Sequence, residues 1–310
     1  MAIDLAVVPV AGYGTRLLPA TKSQPKEMLP VGRRPVVQYV AEELSMAGVT
    51  RLLFVTGAGK NSIENHFDIN AELIGYLRES GREAQLAELS FERRAVEYFY
   101  MRQRRQLGLG HAVLCSQPFV DDRPFVVALG DSIIGLHGTS GIVGRMVAEF
   151  ESRRADAVVA FESVAPDDVV HYGIAAPAEP QPQDVFALRD LVEKPAVHEA
   201  PSHLAVAARY VFSAGIFEEL RQTAPGKGGE IQLTDAIRRM IAGGGRVFGL
   251  RLSPGETRYD IGNFESYFRA FAEFALADPE YGPGLREHLT RLLSLPQGGP
   301  AAADPTTGQG

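Results

Sequence analysis

A single cysteine, Cys115, stands among the 310 residues, so no disulfide can form within the chain. It lies in the apolar stretch Ala112-Val113-Leu114-Cys115, where a buried, inert thiol is expected. No stretch approaches the roughly 18 uninterrupted apolar residues that a helical membrane span needs. The amino terminus lacks a basic n-region, and its apolar run leads straight into a glycine turn, which reads as a core strand rather than a signal peptide. These absences make the cytoplasm the expected location and leave no membrane partner. Positive charge is not in excess either. The net charge is −7, which argues against the broad basic face that nucleic acid requires. The seven histidines are scattered and show no ligand spacing with one another or with Cys115, so no zinc site is expected. There is no internal repeat.

What is present is an ordinary globular balance, with 45% hydrophobic and 22% charged residues, enough for a large core. The length is generous for one small domain and short for three. Short apolar runs over 5–10, 51–56, 96–101, 124–129, 156–161, 205–212 and 246–252 read as strands. Between the first two, Val36, Val40, Leu44 and Ala47 repeat at helical spacing after Pro35 and before Gly48, which predicts a helix over 35–48. Residues 60–78 predict one or two further helices and 139–153 another. The expected fold is therefore α/β: a Rossmann-like, mostly parallel mixed sheet flanked by helices. From about 163 the texture changes. The Pro-rich stretch 176–184, flanked by strands over 172–177 and 185–192, predicts a small inserted β-rich lobe with a hairpin tip. Helices over 231–242, 263–277 and 283–294 close the fold. The expected organisation is one unit over 1–294, with a nucleotide-binding part to about 162, a sugar-phosphate part over about 163–262, and C-terminal helices. The Pro- and Gly-rich tail 295–310 has little to bury and is expected to be flexible.

The most informative segment is 8–30. An apolar run opens into Ala11-Gly12-Tyr13-Gly14-Thr15-Arg16, and glycines at a strand end let backbone N–H groups face an anion. Arg16, Lys22, Lys26, Arg33 and Arg34 set five cations against one acid, Glu27, over residues 16–34. A glycine turn with fixed cations at a strand end suits a nucleoside triphosphate. The spacing is not that of a P-loop, and the third glycine of a dinucleotide fingerprint is missing. Taken alone, Gly12 and Gly14 read first as a tight turn among solvated cations.

The longer string G-x-G-T-R-L-x-P-x-T-x-x-x-P-K, residues 12–26, matches the signature of sugar-1-phosphate nucleotidyltransferases. With KEMLP (26–30), GKNSIENHFD (59–68), MRQRRQLGLGHAVLC (101–115), LVEKP (191–195), LAVAARYVF (204–212), EIQLTDAI (230–237) and YDIGN (259–263), the chain resembles the bacterial UTP–glucose-1-phosphate uridylyltransferases in order from about 5 to 280. That resemblance implies attack by a phosphate oxygen of glucose 1-phosphate on the α-phosphorus of UTP, giving UDP-glucose and pyrophosphate. Two anions must meet, so the catalytic work is charge neutralisation and in-line positioning.

The resemblance also implies roles. Arg16 and Lys26 match the triphosphate-binding cations. Asp131, after the 124–129 strand, matches the position that holds Mg²⁺, and Asp260 is the second candidate ligand. Read alone, an aspartate beside a glycine is as good a turn former as a ligand. The nucleotide would meet Ala11, Gly12, Gly14 and Thr15, with Gln103 and Gly108 on the uracil edge. An amide offers both a donor and an acceptor for that edge. His111 opens a helix near the nucleotide and reads equally well as structural. Lys194 would bind the sugar phosphate, while Glu193 and the backbone of Gly173 meet the glucose. A homo-oligomer, dimer or tetramer, is also implied. Departures occur at Gly130-Asp131-Ser132, where many relatives carry a second acid or an apolar residue after proline. They occur again at His203 and Ala208, where relatives often carry Asn and Gly. The alternatives are a thymidylyltransferase or other sugar-1-phosphate nucleotidyltransferase, and a regulatory paralogue that binds nucleotide sugar without catalysis. The latter would be expected to lack one of Arg16, Lys26, Asp131 or Lys194, and all four are present.

Overall fold

Along Leu5–Pro9, Leu5 and Val7 face one side of a sheet and Ala6 and Val8 the other, and all four are buried. Leu52 and Phe54 alternate in the same way with Leu53 and Val55 along Arg51–Thr56. Strands buried on both faces must be covered on both faces. Helices Val36–Met46 and Ile142–Arg153 cover one side; Leu109–Cys115, Ile216–Gln222 and Leu233–Ala242 cover the other. The computed structural model describes residues 3–294, so the expected tail over 295–310 lies outside the described residues.

One nine-stranded sheet carries the chain. Its order is Glu97–Arg102, Arg51–Thr56, Leu5–Pro9, Phe125–Ala128, Leu204–Phe212, Ala157–Ser163, Val247–Arg251, Val185–Glu193, Gly173–Pro177. The first four strands are mutually parallel, as expected for the nucleotide half. Leu204–Phe212 then runs antiparallel to both of its main neighbours, Phe125–Ala128 and Ala157–Ser163. Beyond it the sheet is mixed, with Ala157–Ser163 parallel to Val247–Arg251 and Val185–Glu193 antiparallel on both sides. The β-rich insertion is present, but its two strands extend this same sheet. The Gly173–Pro177 strand curls back so that Ile174 also pairs with Ala205 of Leu204–Phe212.

The 60–78 region forms two helices, Asn61–Phe67 and Ala71–Glu79, followed by 3₁₀ turns over Glu83–Arg93. The C-terminal helices are Phe264–Ala277 and Gly282–Ser294. The first is capped by the Asn263 side chain, whose Oδ1 accepts from Ser266 N at 3.0 Å.

Two features aim this frame at a site. The strands ending at Pro9 and Ala128 are adjacent and parallel, so the 11–14 turn and the Gly130-Asp131 turn emerge side by side at their carboxyl ends. The Leu204–Phe212 strand slips register between Val206 and Tyr210, where Ala208 takes φ +59°. That is left-handed backbone, the region that favours glycine. An alanine there costs on the order of 1–3 kcal/mol, which the surrounding contacts sustain. The bulge turns the Ala208 carbonyl toward the Asp131 turn, where it accepts from Leu129 N at 3.1 Å.

Candidate active site

Asp131 is the hub. Gly130 must be glycine for space, because an added Cβ would lie 2.5 Å from Val10 Cγ1. The turn that follows lets the short strand Ser132–Ile134 pair with Arg258–Asp260, which sets Asp260 opposite Ser132, while Ile261 N donates to the Asp131 carbonyl at 3.0 Å. Two carboxylates far apart in sequence thus face the same space. Asp131 Oδ2 accepts from Lys26 Nζ at 2.5 Å. Burial works against ionisation of Asp131, yet the Lys26 charge and hydrogen bond hold its carboxyl below the usual range. Asp260 has no ion-pair or hydrogen-bond partner for its side chain among the described residues. Burial first, and then the charge of Asp131, push its carboxyl up. For Lys26, burial opposes the charged form, but Asp131, Glu27 and Asp260 outweigh it and raise the ammonium above an ordinary lysine.

Asp131 lies on the wall between two cavities. The smaller, about 300 Å³, is lined by Ala11, Gly12, Lys26, Gln103 and Gly108. These are five of the residues expected at the nucleotide. The larger, about 580 Å³, is lined by Gly173, Glu193, Lys194 and Asp260, the residues expected at the sugar phosphate and metal, together with Arg16. Arg16 was expected with the nucleotide phosphates. It lines the larger cavity, where an added Cβ on Gly262 would sit 3.1 Å from its Nη2 and 3.0 Å from Asp260 Oδ2. Gly14 and Thr15 line neither cavity. Gly14, at φ +68°, makes the turn, and its carbonyl accepts from Thr21 Oγ1 at 2.8 Å. At Ala11 the carbonyl accepts from Gln106 Nε2 at 3.1 Å, while no backbone partner takes its N–H among the described residues.

The sugar-side group is tightly held. Glu193 ends the Val185–Glu193 strand, and its Oε2 accepts from Thr234 Oγ1 at 2.7 Å. Lys194 takes φ +47°, with its N–H bonded to the Tyr172 carbonyl at 2.9 Å and its Nζ 3.6 Å from Glu193 Oε1. A non-glycine residue held in this sparsely populated backbone region marks a place where the surroundings dictate the conformation. Gly173 lies beside it, since an added Cβ would sit 3.3 Å from Glu193 Oε2.

Several side chains escaped the sequence reading. Lys60, in GKNSIENHFD, forms a buried ion pair with Glu27 at 2.9 Å and so anchors the 3₁₀ turn Lys26–Met28. Burial raises the Glu27 carboxyl, and Lys60 and Lys26 oppose that shift. Thr234, in EIQLTDAI, and Arg258, paired with Glu162 and stacked 4.7 Å over the Tyr172 ring, complete the larger cavity. Arg209 donates to Glu43 and, through Nη2, to the Ser132 carbonyl at 2.9 Å beside Asp131. Lys60, Thr234 and Arg209 lie inside quoted motifs and Arg258 lies just before one; no local pattern names their partners. Cys115 is partly buried, and burial raises its thiol, consistent with the inert role expected of it.

Asp131 and Asp260 offer an oxygen-only donor set in which the Asp260 carboxylate makes no direct ion pair among the described residues, although Arg258, Lys26 and Arg16 lie near it. That set fits a hard divalent cation held by one or two carboxylates and completed by phosphate oxygens. No cluster of three or more metal-ligating side chains occurs among the described residues. No helix among them is long and apolar enough to cross a membrane.

The nucleotidyl transferase family profile matches residues 5–276. The chain is 43% identical over 291 residues to a putative UTP–glucose-1-phosphate uridylyltransferase of Methanocaldococcus jannaschii, covering 94% of this chain and 100% of the relative. It is 44% identical over 288 residues to the UTP–glucose-1-phosphate uridylyltransferase YngB of Bacillus subtilis, covering 93% of this chain and 95% of that one. A solved structure described as UTP-bound UGPase from Acinetobacter baumannii superposes with a TM-score of 0.85 at 37% identity, covering 94% of this chain and 99% of that one.

Proposed function

The chain belongs to the nucleotidyl transferase family, and on that premise we propose that it transfers the uridylyl group of UTP to α-D-glucose 1-phosphate, releasing pyrophosphate and forming UDP-glucose. The observation that carries this reading is the pair of cavities meeting at Asp131, one bearing the amide of Gln103 and the other the Glu193-Lys194 turn. The smaller accepts the base, with the Ala11 N–H and Gln103 on its edge. The larger accepts the sugar phosphate, with Lys194 on the phosphate and Glu193 and Gly173 at the hydroxyls. A phosphate oxygen of the sugar phosphate attacks the α-phosphorus, and the bond from that phosphorus to the oxygen of the departing pyrophosphate breaks. Lys26 neutralises the triphosphate from the smaller cavity, Arg16 reaches it from the larger one beside Asp131, and Lys194 neutralises the acceptor, so two anions can come into line. Asp131 and Asp260 would hold Mg²⁺. The ion, when bound, supplies charge neutralisation across phosphate oxygens.

Continuity of the nine-stranded sheet supports reading the chain through 294 as one catalytic unit. A cytoplasmic location is part of the same proposal and rests on the lone thiol. Self-association also belongs to it, with the exposed Phe268 and Phe271 of helix Phe264–Ala277 as its support.

A panel of nucleoside triphosphates at fixed glucose 1-phosphate, read by pyrophosphate release, tests the reading. UTP is expected to be best, dTTP weak but detectable, and CTP, ATP and GTP poor. A mispaired polar edge can cost ~10⁴-fold, while one methyl group is worth ~10–200-fold. Equal rates with ATP and UTP would leave only a nucleotidyltransferase of unknown base.

The separation of the two lysines between the two cavities gives a second expectation. Lys26→Ala raises KM for UTP or lowers kcat, whereas Lys194→Ala raises KM for glucose 1-phosphate. A lost charge-assisted contact corresponds to roughly 10–150-fold. The same pattern for both substrates in both variants would contradict the assignment.

A further inference from the structure

We propose that His111 is a positioning residue for base selection: its Nδ1, with the Gly108 carbonyl, holds the Gln103 amide so that only its oxygen is presented to the base. This inference rests on the reading of the smaller cavity as the nucleotide site.

Gln103 is 4% exposed and lines that cavity. Its Nε2 lies 3.0 Å from the Gly108 carbonyl oxygen and 2.9 Å from His111 Nδ1. A carbonyl can only accept, so the atom facing it must be the NH₂ group. That group has two hydrogens and meets two acceptors. His111 Nδ1 can be the second acceptor only if the ring is neutral with its proton on Nε2. Burial lowers the His111 pKa and favours that neutral form. Both amide hydrogens are then committed, and Oε1 has no partner among the described residues.

The frame around this contact is rigid. Gly108 takes φ +94°, and an added Cβ would lie 2.8 Å from Glu230 Cβ and 2.9 Å from the Ile231 carbonyl. Ile231 clamps the segment from both sides. Its N–H donates to the Leu107 carbonyl at 2.7 Å, and its carbonyl accepts from Gly110 N at 2.9 Å. His111 follows directly in helix Leu109–Cys115, so the carbonyl and the imidazole that grip the amide share one short backbone unit.

The consequence is chemical selection. An amide free to rotate would read a donor edge and an acceptor edge with equal ease. Fixed with Oε1 outward, it accepts from the N3–H of uracil or thymine and opposes the N3 lone pair of cytosine. The ligand class is therefore a pyrimidine with a protonated N3. The orientation comes from protein contacts made before any nucleotide arrives.

The test compares kcat/KM for UTP and CTP, with glucose 1-phosphate, in the full chain and in His111→Leu, His111→Asn, His111→Gln and Gln103→Leu, each with a melting curve. Asparagine places an amide oxygen near the position of Nδ1, whereas glutamine reaches toward that of Nε2. The UTP:CTP ratio should fall about tenfold or more in His111→Leu and His111→Gln, and stay within about threefold of the parent in His111→Asn, in line with the loss of one oriented polar contact. A purely structural histidine would lower rates for both nucleotides together and leave the ratio alone. If His111→Leu unfolds, the Asn and Gln pair carries the comparison. Unchanged ratios in His111→Leu or His111→Gln, with the ratio lost in Gln103→Leu, would overturn the role of His111 and leave the base reading standing. An unchanged ratio in Gln103→Leu would overturn both.

Discussion

Replacing Asp131 with asparagine lowers kcat for UDP-glucose formation by on the order of 10²-fold or more, as the loss of several kcal/mol of charge stabilisation at a phosphoryl centre implies. The change is nearly isosteric but removes the charge on which three features converge. Lys26 loses its 2.5 Å partner, Asp260 is left as the sole carboxylate of the candidate metal pair, and a divalent cation loses the ligand at the junction of the two cavities. Stability responds differently. The neutral amide in Asp131→Asn no longer repels Asp260, which offsets the lost pairing with Lys26. The net change should stay near ~1 kcal/mol and move Tm by only about 2–4 °C. Steady-state pyrophosphate release and a melting curve on the same preparation separate the two effects. A variant near full activity would remove Asp131 from the chemistry. Undiminished activity of the parent in excess chelator would remove the cation as well.

The largest stability effect is expected away from the cavities, at Glu43. Arg209 and Glu43 have side-chain exposures of 0% and 1%, and the guanidinium meets the carboxylate through Nε at 3.2 Å and Nη2 at 2.6 Å. Its remaining contacts are the Ala208 carbonyl at 3.0 Å and the Ser132 carbonyl at 2.9 Å. Glu43→Ala strands a buried guanidinium without its counter-charge, a loss of ~3–5 kcal/mol. At about 2–4 °C per kcal/mol for a chain of this size, Tm should drop by roughly 6–20 °C. Removing both charges in Glu43→Met with Arg209→Met should recover part of the loss, because the deficit comes from the orphaned charge more than from the missing attraction. A shift below about 3 °C in the single variant would mean that water reaches the pair. By contrast, the Arg269–Glu265 pair, with side chains 74% and 73% exposed, contributes little in either direction.

Glu43 also marks how far the sequence could be read. Val36, Val40 and Ala47 repeat at helical spacing, and Glu43 lies three positions after Val40 and seven after Val36, on the same stripe. A charge on an apolar stripe asks for a buried partner, and an arginine inside the apolar run LAVAARYVF is the matching anomaly 166 positions later. The two oddities were legible singly. Their pairing was not, because it depends on the fold bringing helix Val36–Met46 within reach of the Leu204–Phe212 strand. Lys60 with Glu27 and Thr234 with Glu193 are of the same kind.

By itself the sequence determined what depends on short range. Most strands of the large sheet and helices such as Val36–Met46 and Ile142–Arg153 followed from periodicity over a few residues, the glycine turn from the missing Cβ, and the candidate groups Lys26, Gln103, Gly108 and Glu193, Lys194, Asp260 from motifs that each span a few positions. Tertiary structure alone decided what depends on strand order and register. It joined the inserted lobe to the main sheet through Val247–Arg251, set Asp260 opposite Ser132, put Arg16 on the lining of the larger cavity, and turned the Gln103 amide with His111 and Gly108. The physical reason is that a backbone conformation or a turn is chosen by a residue and its immediate neighbours. The partner of a buried charge or amide is chosen by whichever group the folded sheet brings within about 3 Å, the reach of a hydrogen bond, and chain separation carries no record of that distance.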